Sequence, residues 1–265
     1  MAADAPGDPT TLFSVTGKRV LVTGGSRGIG YMIARGFLAA GASVTITARK
    51  AAQVEEAAAA LGEIGPCDAL PVDVATAEGV AALAEFVAST GDRLDVLVNN
   101  AGATWGEPLD TFPLSAFDKL LDVNVKAVFA LTQALLPLLR AAATPDEPAR
   151  VINIGSVDGI RTPALESFAY SSSKAAVHML TRHLATRLAR EAITVNAIAP
   201  GPFDSKMMAF VLDDPQGRQG VASSVPLGRV GRPDDVAGTA IFLASRAGSY
   251  LTGAVVPVDG GITAR

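Results

Sequence analysis

An α/β fold, one parallel sheet covered by helices on both faces, is what the sequence predicts from three features. Short β-rich apolar runs alternate strictly with Ala/Leu-rich stretches along all 265 residues. The runs are continuously apolar, as strands buried on both faces require. A glycine-rich turn, TGGSRGIG at 23–30, joins the first run to the first helical stretch. With right-handed crossovers, such alternation winds into a doubly wound sheet. No break in composition and no fixed-period repeat marks a second domain. Residues 13–265 are therefore expected to form a single domain after a loose tail, 1–12, that is acidic and Pro-rich.

The first strand is RVLVTGG (19–25). GIGYMIARGFLAAG (28–41) follows as a helix that stops on glycine, the residue suited to the turn past a helix end. SVTITAR (43–49), rich in β-branched residues, is the second strand, and QVEEAAAALGEI (53–64) the second helix. ALPVD (69–73) makes the third strand, with a helix from about 78 to 89 behind it, and LDVLVNNAG (94–102) the fourth. A long helix over 114–143 leads to RVINIGS (150–156), and a helix over 168–191 leads to ITVNAIAPG (193–201). Residues 201–226 show no regular pattern and are expected to be irregular. A helix starting near Pro233 precedes the last strand, AVVPVDGG (254–261).

The net charge of −4 comes without any dense Lys/Arg run, which argues against a nucleic-acid partner. One cysteine, Cys67, excludes an internal disulfide, and His178 and His183 are too few and badly spaced for a metal site, so no metal is expected. The longest apolar stretch, 128–139, is interrupted by Thr132, Gln133 and Pro137, so no membrane span is expected. The first residues lack the basic and apolar blocks of a secretory signal, and a cytoplasmic setting is the default.

Glycines let a backbone turn sharply and approach a pyrophosphate, which rests on the unpaired amides of a helix N-terminus. TGGSRGIG stands in that strand-to-helix context. The sheet is therefore expected to be of the Rossmann type, with Gly24, Ser26, Arg27, Gly28, Ile29 and Gly30 around a dinucleotide. An acid after the second strand would accept a hydrogen bond from the ribose 2′-hydroxyl of NAD. Ala48 stands there instead, followed by Arg49. Guanidiniums at Arg49 and Arg27 can clamp a 2′-phosphate that a carboxylate would repel. NADP(H) is the expected cofactor; the alternative is two solvated surface arginines.

YSSSK (170–174) sets a phenol and an ammonium one helical turn apart on one face. Reducing a ketone needs a hydride on carbon and a proton on the developing alkoxide. A free tyrosine titrates at about 10, and a neighbouring cation lowers that value toward working pH. Lys174 is expected to supply that cation.

In order along the chain, TGGSRGIG, Asp73-Val74, NNAG (99–102), Asn124 in DVNV, Ser156 in NIGS, YSSSK and Pro200-Gly201 resemble the short-chain dehydrogenase/reductase family. The resemblance spans nearly the whole chain. The enoyl-reductase branch separates its tyrosine and lysine more widely than this chain does. NNAGATWG, PARVINIGSVDGI and IAPGPF resemble the β-ketoacyl reductases, including the NADPH-dependent type associated with rhamnolipid biosynthesis. The resemblance implies that Tyr170 gives the proton, that Ser156 hydrogen-bonds the carbonyl oxygen and that Lys174 also binds the nicotinamide ribose. It further implies that Asn124 anchors a water joining Lys174 to solvent. On the cofactor side it implies that Asp73 accepts from the adenine amino group, with the Val74 backbone beside it. Asn100, Ala101 and Gly102 would run along the adenosine ribose, and Pro200, Gly201, Phe203 and Ser205 would complete the site.

Ligands of such sheets bind beyond the carboxyl ends of the strands, so three following segments should form the substrate wall. These are Thr104-Trp105, residues 157–165 and residues 202–225. The last holds Phe203, Met207, Met208, Phe210 and Val211 around Ser205, a set suited to an aliphatic or acyl ketone more than to a sugar. The cleft-mouth arginines of carrier-protein-using reductases have no clean match: Thr186 stands near one expected place, with Arg187 beside it. The expected substrate is a 3-oxoacyl thioester, on an acyl carrier or coenzyme A, or a smaller free ketone. A secondary-alcohol or polyol dehydrogenase working oxidatively is the second reading. A non-catalytic NADP(H)-binding sensor is the third, and the complete Asn/Ser/Tyr/Lys set argues against it. Surplus apolar residues on the helices near 114 and 168 suggest pairing between subunits, and the family resemblance implies a homotetramer.

Overall fold

From residue 8 to residue 264, the span that the computed structural model describes, strands and helices alternate as the sequence predicts. The strands are β1 (Arg19–Thr23), β2 (Ser43–Ala48), β3 (Cys67–Pro71), β4 (Val96–Asn99), β5 (Ala149–Ile154), β6 (Ile193–Pro200) and β7 (Val255–Val258). All pair in parallel, in the order β3-β2-β1-β4-β5-β6-β7. The chain moves outward from β1 to β3, then returns to place β4 on the other flank of β1. That reversal opens a crevice above the carboxyl ends of β1 and β4, where such sheets bind ligands.

The helices are α1 (Pro9–Leu12), α2 (Gly28–Ala39), α3 (Ala51–Gly62), α4 (Ala77–Ser89), α5 (Leu114–Leu121), α6 (Ala127–Ala142), α7 (Phe168–Leu188), α8 (Ala209–Leu212), α9 (Pro215–Ser224) and α10 (Pro233–Ala244). Successive strand residues point to opposite faces. Val20, Val22, Ile46, Val96 and Val98 pack with Phe37 of α2, Leu61 of α3 and Leu243 of α10. Leu21, Leu97, Val151 and Val195 pack with Leu83 of α4, Leu135 of α6 and Ala185 of α7.

Three expectations change. Of the expected tail, residues 1–7 lie outside the described residues, while 9–12 form a helical turn at which Asp8 accepts the Thr10 backbone N–H at 2.9 Å. The long helix over 114–143 is α5 and α6 joined by a π-helical turn, Asp122–Lys126, with Asn124 buried at its centre. This run is apolar and long enough to cross a membrane by composition alone, yet it seats Leu120, Leu131, Leu135 and Leu139 in the core. The segment 201–226 is not wholly irregular, because it contains α8 and α9. The Asp214 carboxylate caps α9 by accepting the Gly217 N–H at 2.7 Å, and Pro215 takes the first turn. With no residue of α9 buried, hydrophobic periodicity could not announce the helix.

Candidate active site

The floor of the crevice is built where β1 and β4 end. Thr23 Oγ1 accepts the backbone N–H groups of Asn100 and Ala101, both at 2.9 Å. The Asn100 amide donates back to the carbonyls of Thr23 at 2.8 Å and Gly24 at 3.2 Å. Gly24 has φ +66°, and a Cβ there would lie 2.8 Å from that amide nitrogen. A Cβ on Gly30 would collide with the same nitrogen and with the Gly24 carbonyl. These glycines are thus required by the approach of the chain to itself as well as by any phosphate. The N–H groups of Asn100 are used inside the protein, so what it can offer a ribose is an acceptor oxygen. Arg27, at the N-cap of α2, makes no side-chain cap, leaving the first amides of that helix free of a side-chain acceptor.

Above this floor lies a cleft of about 820 Å³. It is lined by Gly24, Ser26, Arg27, Gly28, Ile29, Arg49, Asp73, Val74, Asn100, Ala101 and Gly102 at one end and by Ser156, Tyr170, Lys174, Pro200, Gly201, Phe203 and Ser205 further along. Of the predicted site residues, only Gly30 and Asn124 do not reach it: both are buried in its supports. Lys50 joins Arg27 and Arg49 as a third exposed cation at the dinucleotide end. Its place directly after Arg49 was the available signal. Arg49 Nη1 lies 3.9 Å from Asp73 Oδ2, while Asp73 Oδ1 accepts the Ala75 N–H at 3.0 Å.

The substrate wall is partly as expected. Thr104, Met207, Met208 and Phe210 line the cleft; Trp105 and Val211 do not. The Trp105 ring instead carries the Lys119 ammonium, 5.5 Å from its centroid. Phe203 borders the cleft but is 2% exposed, its ring packed where a Cβ on Gly231 would stand, so it anchors the segment instead of presenting an apolar surface. Thr186 and Arg187 lie on the last turns of α7 and do not line the cleft.

Tyr170 and Lys174 reach the cleft from α7, and Ser156 from the end of β5. The Lys174 ammonium lies 5.7 Å from the Tyr170 ring centroid and donates to the Ile154 carbonyl at 2.8 Å. Burial works against the expected acidification of Tyr170 in this cleft. Burial pushes the phenol up to about 12; the Ser156 hydroxyl opposes that rise and the Asp158 charge adds to it. The same burial pushes Lys174 down to about 8. Desolvation is the largest cause for both groups, which sit in one low-dielectric site. Ser156 Oγ accepts the Asp158 N–H at 3.1 Å, leaving its own proton free to donate.

Asn124 staples two of these parts together. Its Oδ1 accepts the Ala103 N–H at 2.9 Å, while its Nδ2 donates to the Ala103 carbonyl at 3.0 Å and to Ser173 Oγ at 2.8 Å. Ser173, whose hydroxyl donates to the Tyr170 carbonyl at 2.7 Å, went unassigned although it lies inside YSSSK. His178, one turn past Lys174, is 4% exposed and lowered by burial, while His183 is exposed.

A Rossmann sheet whose crevice ends in Ser156, Tyr170 and Lys174 defines a dinucleotide-dependent oxidoreductase site. Residues 24–263 match a family model described as enoyl-(acyl carrier protein) reductase, and the chain belongs to the short-chain dehydrogenase/reductase family. It is 49% identical over 249 residues to the rhamnolipids biosynthesis 3-oxoacyl-[acyl-carrier-protein] reductase of Pseudomonas aeruginosa, covering 94% of this chain and 97% of that protein. The structure of the Pseudomonas aeruginosa RhlG/NADP active-site complex superposes with a TM-score of 0.93 at 49% identity, covering 96% of this chain and 99% of that one. The gluconate 5-dehydrogenase of Gluconobacter oxydans is 35% identical over 258 residues, covering 95% of this chain and 97% of that protein.

Proposed function

We propose that this protein is an NADPH-dependent carbonyl reductase that converts a ketone to a secondary alcohol, with a 3-oxoacyl thioester on an acyl carrier or coenzyme A as its substrate. One observation carries the reading: Ser156, Tyr170 and Lys174 share a cleft with the three cations Arg27, Arg49 and Lys50. The likeness to the Pseudomonas aeruginosa reductase supports the substrate class. The cradle fits a phosphorylated dinucleotide. Gly24 and Gly30 keep the backbone close beneath it, the uncapped amides of α2 face it, and no acid stands at Ala48 to repel a 2′-phosphate.

When bound, the cofactor supplies a hydride for the carbonyl carbon. The chain supplies the rest. Ser156 donates its hydroxyl proton to the carbonyl oxygen and fixes its direction. Tyr170, held protonated by burial, transfers its proton to that oxygen as negative charge develops. Lys174, with its value near 8, can release a proton close to neutral pH and restore the phenol. Asn124 and Ser173 hold α7 against the 102–104 segment, so that phenol and serine keep their separation. We further propose a cytoplasmic homotetramer. Leu114, Phe129 and Met179, at 80%, 45% and 61% exposed on α5, α6 and α7, support burial between subunits.

The test is NADPH consumption with acetoacetyl-coenzyme A, simple ketones and polyols in parallel. Tyr170→Phe should lower thioester reduction by about 10²–10⁴-fold, the range that a positioned proton donor contributes, while retaining NADPH binding. Arg49→Ala should raise the KM for NADPH about tenfold, as loss of a charge-assisted hydrogen bond predicts, and leave that for NADH unchanged. Native turnover by Tyr170→Phe would overturn the mechanism. Oxidation of polyols with no ketone reduced would replace it with the dehydrogenase reading.

A further inference from the structure

Lys174 and His178 follow Tyr170 at successive spacings of four along α7, so the three side chains share one face of that helix. That face lies against the exit of β5. Lys174 Nζ donates to the Ile154 carbonyl at 2.8 Å, two residues before Ser156. His178 meets the chain on both sides of Ser156. A Cβ on Gly155 would collide with His178 Nε2 and stand 2.7 Å from its Cδ2, and a Cβ on Gly159 would stand 2.8 Å from its Cε1. The imidazole thus fills a slot between two glycines, with the serine between them in the chain. Gly159 also rests on the α7 backbone, where a Cβ would lie 2.7 Å from the Lys174 carbonyl carbon and 2.8 Å from the Ala175 nitrogen.

The ring is 4% exposed, and its Nε2 is enclosed with no hydrogen-bond partner among the described residues. Burying an unpaired acceptor costs stability, and an aliphatic side chain of similar volume would avoid that cost. Folding alone therefore gives no reason for an imidazole here. Burial lowers His178 below the usual histidine range, against a backbone hydrogen bond to Gly159, and the charges of Lys174 and Arg182 lower it further. The ring is neutral at neutral pH. The turn beside it has few ties of its own. Gly155 N–H donates to the Ile198 carbonyl at 2.7 Å, but the bonds given by the N–H groups of Asp158 and Gly159 both end on Ser156, within the turn.

We propose that His178 is a positioning residue for the reaction: its flat ring, wedged between Gly155 and Gly159, sets where the Ser156 hydroxyl stands relative to Tyr170 on the same helix. The inference rests on the proposed reaction, in which Ser156 directs the carbonyl oxygen toward the phenol. One helix then carries both the proton donor and the spacer that fixes the serine's distance from it. His178 does not line the cleft, so it acts through the turn and not on substrate or cofactor. Without the ring the turn can relax into the vacated slot, while Lys174 keeps its hold on Ile154.

The experiment is a double-mutant cycle between His178 and Ser156, read with acetoacetyl-coenzyme A and NADPH. His178→Ala empties the slot, and His178→Leu fills it with a rounder apolar group, so a folding failure of the first leaves the second. Either should lower kcat by about 10- to 100-fold, as a misplacement near 1 Å predicts, with the KM for NADPH within about twofold of wild type. In a Ser156→Ala background the same change should lower kcat by less than about twofold, because an absent hydroxyl cannot be misplaced. His183→Gln, at an exposed place on the same helix, should leave the rate unchanged. A penalty of equal size in both backgrounds would overturn the proposal, as would native kcat in the His178 variants. Hydrogen exchange reads the turn without turnover. Amides of residues 155–161 should lose protection in the His178 variants while those of Asn100 and Ala101 keep theirs, and unchanged exchange over 155–161 would also overturn the proposal. If no carbonyl is reduced at all, the proposed function fails while hydrogen exchange still decides whether His178 holds the turn.

Discussion

Where the glycine turn meets β4, every polar group of Thr23 and Asn100 described above is paired inside the protein, and one added methyl has nowhere to go. Across the cleft, over 203–225, Met207 and Phe210 stand 39% and 72% exposed, and α9 buries no residue. The first region is held by close approach of backbone to backbone, the second by a buried anchor, Phe203, and by charges at the surface. A cofactor common to many substrates needs a fixed seat, whereas the substrate wall must open for entry and exit. The contrast predicts that disturbances of the floor affect folding and binding together, while those of the wall affect binding alone.

The largest effect should come from Gly30→Ala. Its Cβ would meet the Asn100 amide and the Gly24 carbonyl, both of them fixed in the floor, so neither can give way cheaply. Overpacking of this kind costs about 1–3 kcal/mol, and the displaced turn should weaken NADPH binding as well. Urea unfolding and fluorescence titration with NADPH measure the two losses. A variant that bound NADPH normally at native stability would show that the floor is as compliant as the wall.

An effect of similar order, up to about 3 kcal/mol for a displacement of this size, separates the regions by charge. Lys174 is pushed from 10.5 to about 8 and Tyr170 from 10.0 to about 12. Between pH 8 and 10 the unfolded chain keeps a proton on Lys174 that the folded chain has released, so stability rises with pH. Above 10 the unfolded tyrosine ionises while the folded one holds its proton to about 12, so stability falls. Urea midpoints across this range should pass through a maximum that Lys174→Met flattens on its rising side. A monotonic fall in wild type would contradict the burial assigned to Lys174.

The same division governs what could be read from the sequence. The parallel α/β class and the glycine turn were legible because continuous apolar runs and the Gly24–Gly30 turn obey local rules that few alternatives satisfy. The pairing of Tyr170 with Lys174 was legible as spacing and Ser156 through the family resemblance, but the burial around the phenol was not. Whether burial or a neighbouring cation prevails depends on how α7 packs against β5, which no local pattern encodes. Helix α9 escaped notice because it has no buried face, though Asp214-Pro215 marked its start. The π turn at Asn124 escaped because a single wide turn inside a continuous helical run carries no cap, proline or glycine to mark it.

The smallest effect on folding, and the sharpest test of the wall, is Arg218→Ala. Arg218 reaches from α9 to the Asp204 carboxylate, with Nη1 at 3.1 Å and Nη2 closing the pair, and its Nε donates to the Leu212 carbonyl at 3.1 Å. One guanidinium therefore ties together the exit from β6, the end of α8 and the start of α9. Both partners are substantially exposed, and exposed pairs add little to global stability. The thermal midpoint should scarcely move. The KM for the ketone should nevertheless rise a few-fold with kcat unchanged, because Met207 and Phe210 would no longer be held over the cleft. High salt should reproduce part of that rise in wild type, since screening weakens an exposed pair. If KM stayed constant while the midpoint fell sharply, the clasp would support the fold and not the wall, and the two sides of the cleft would be alike in construction after all.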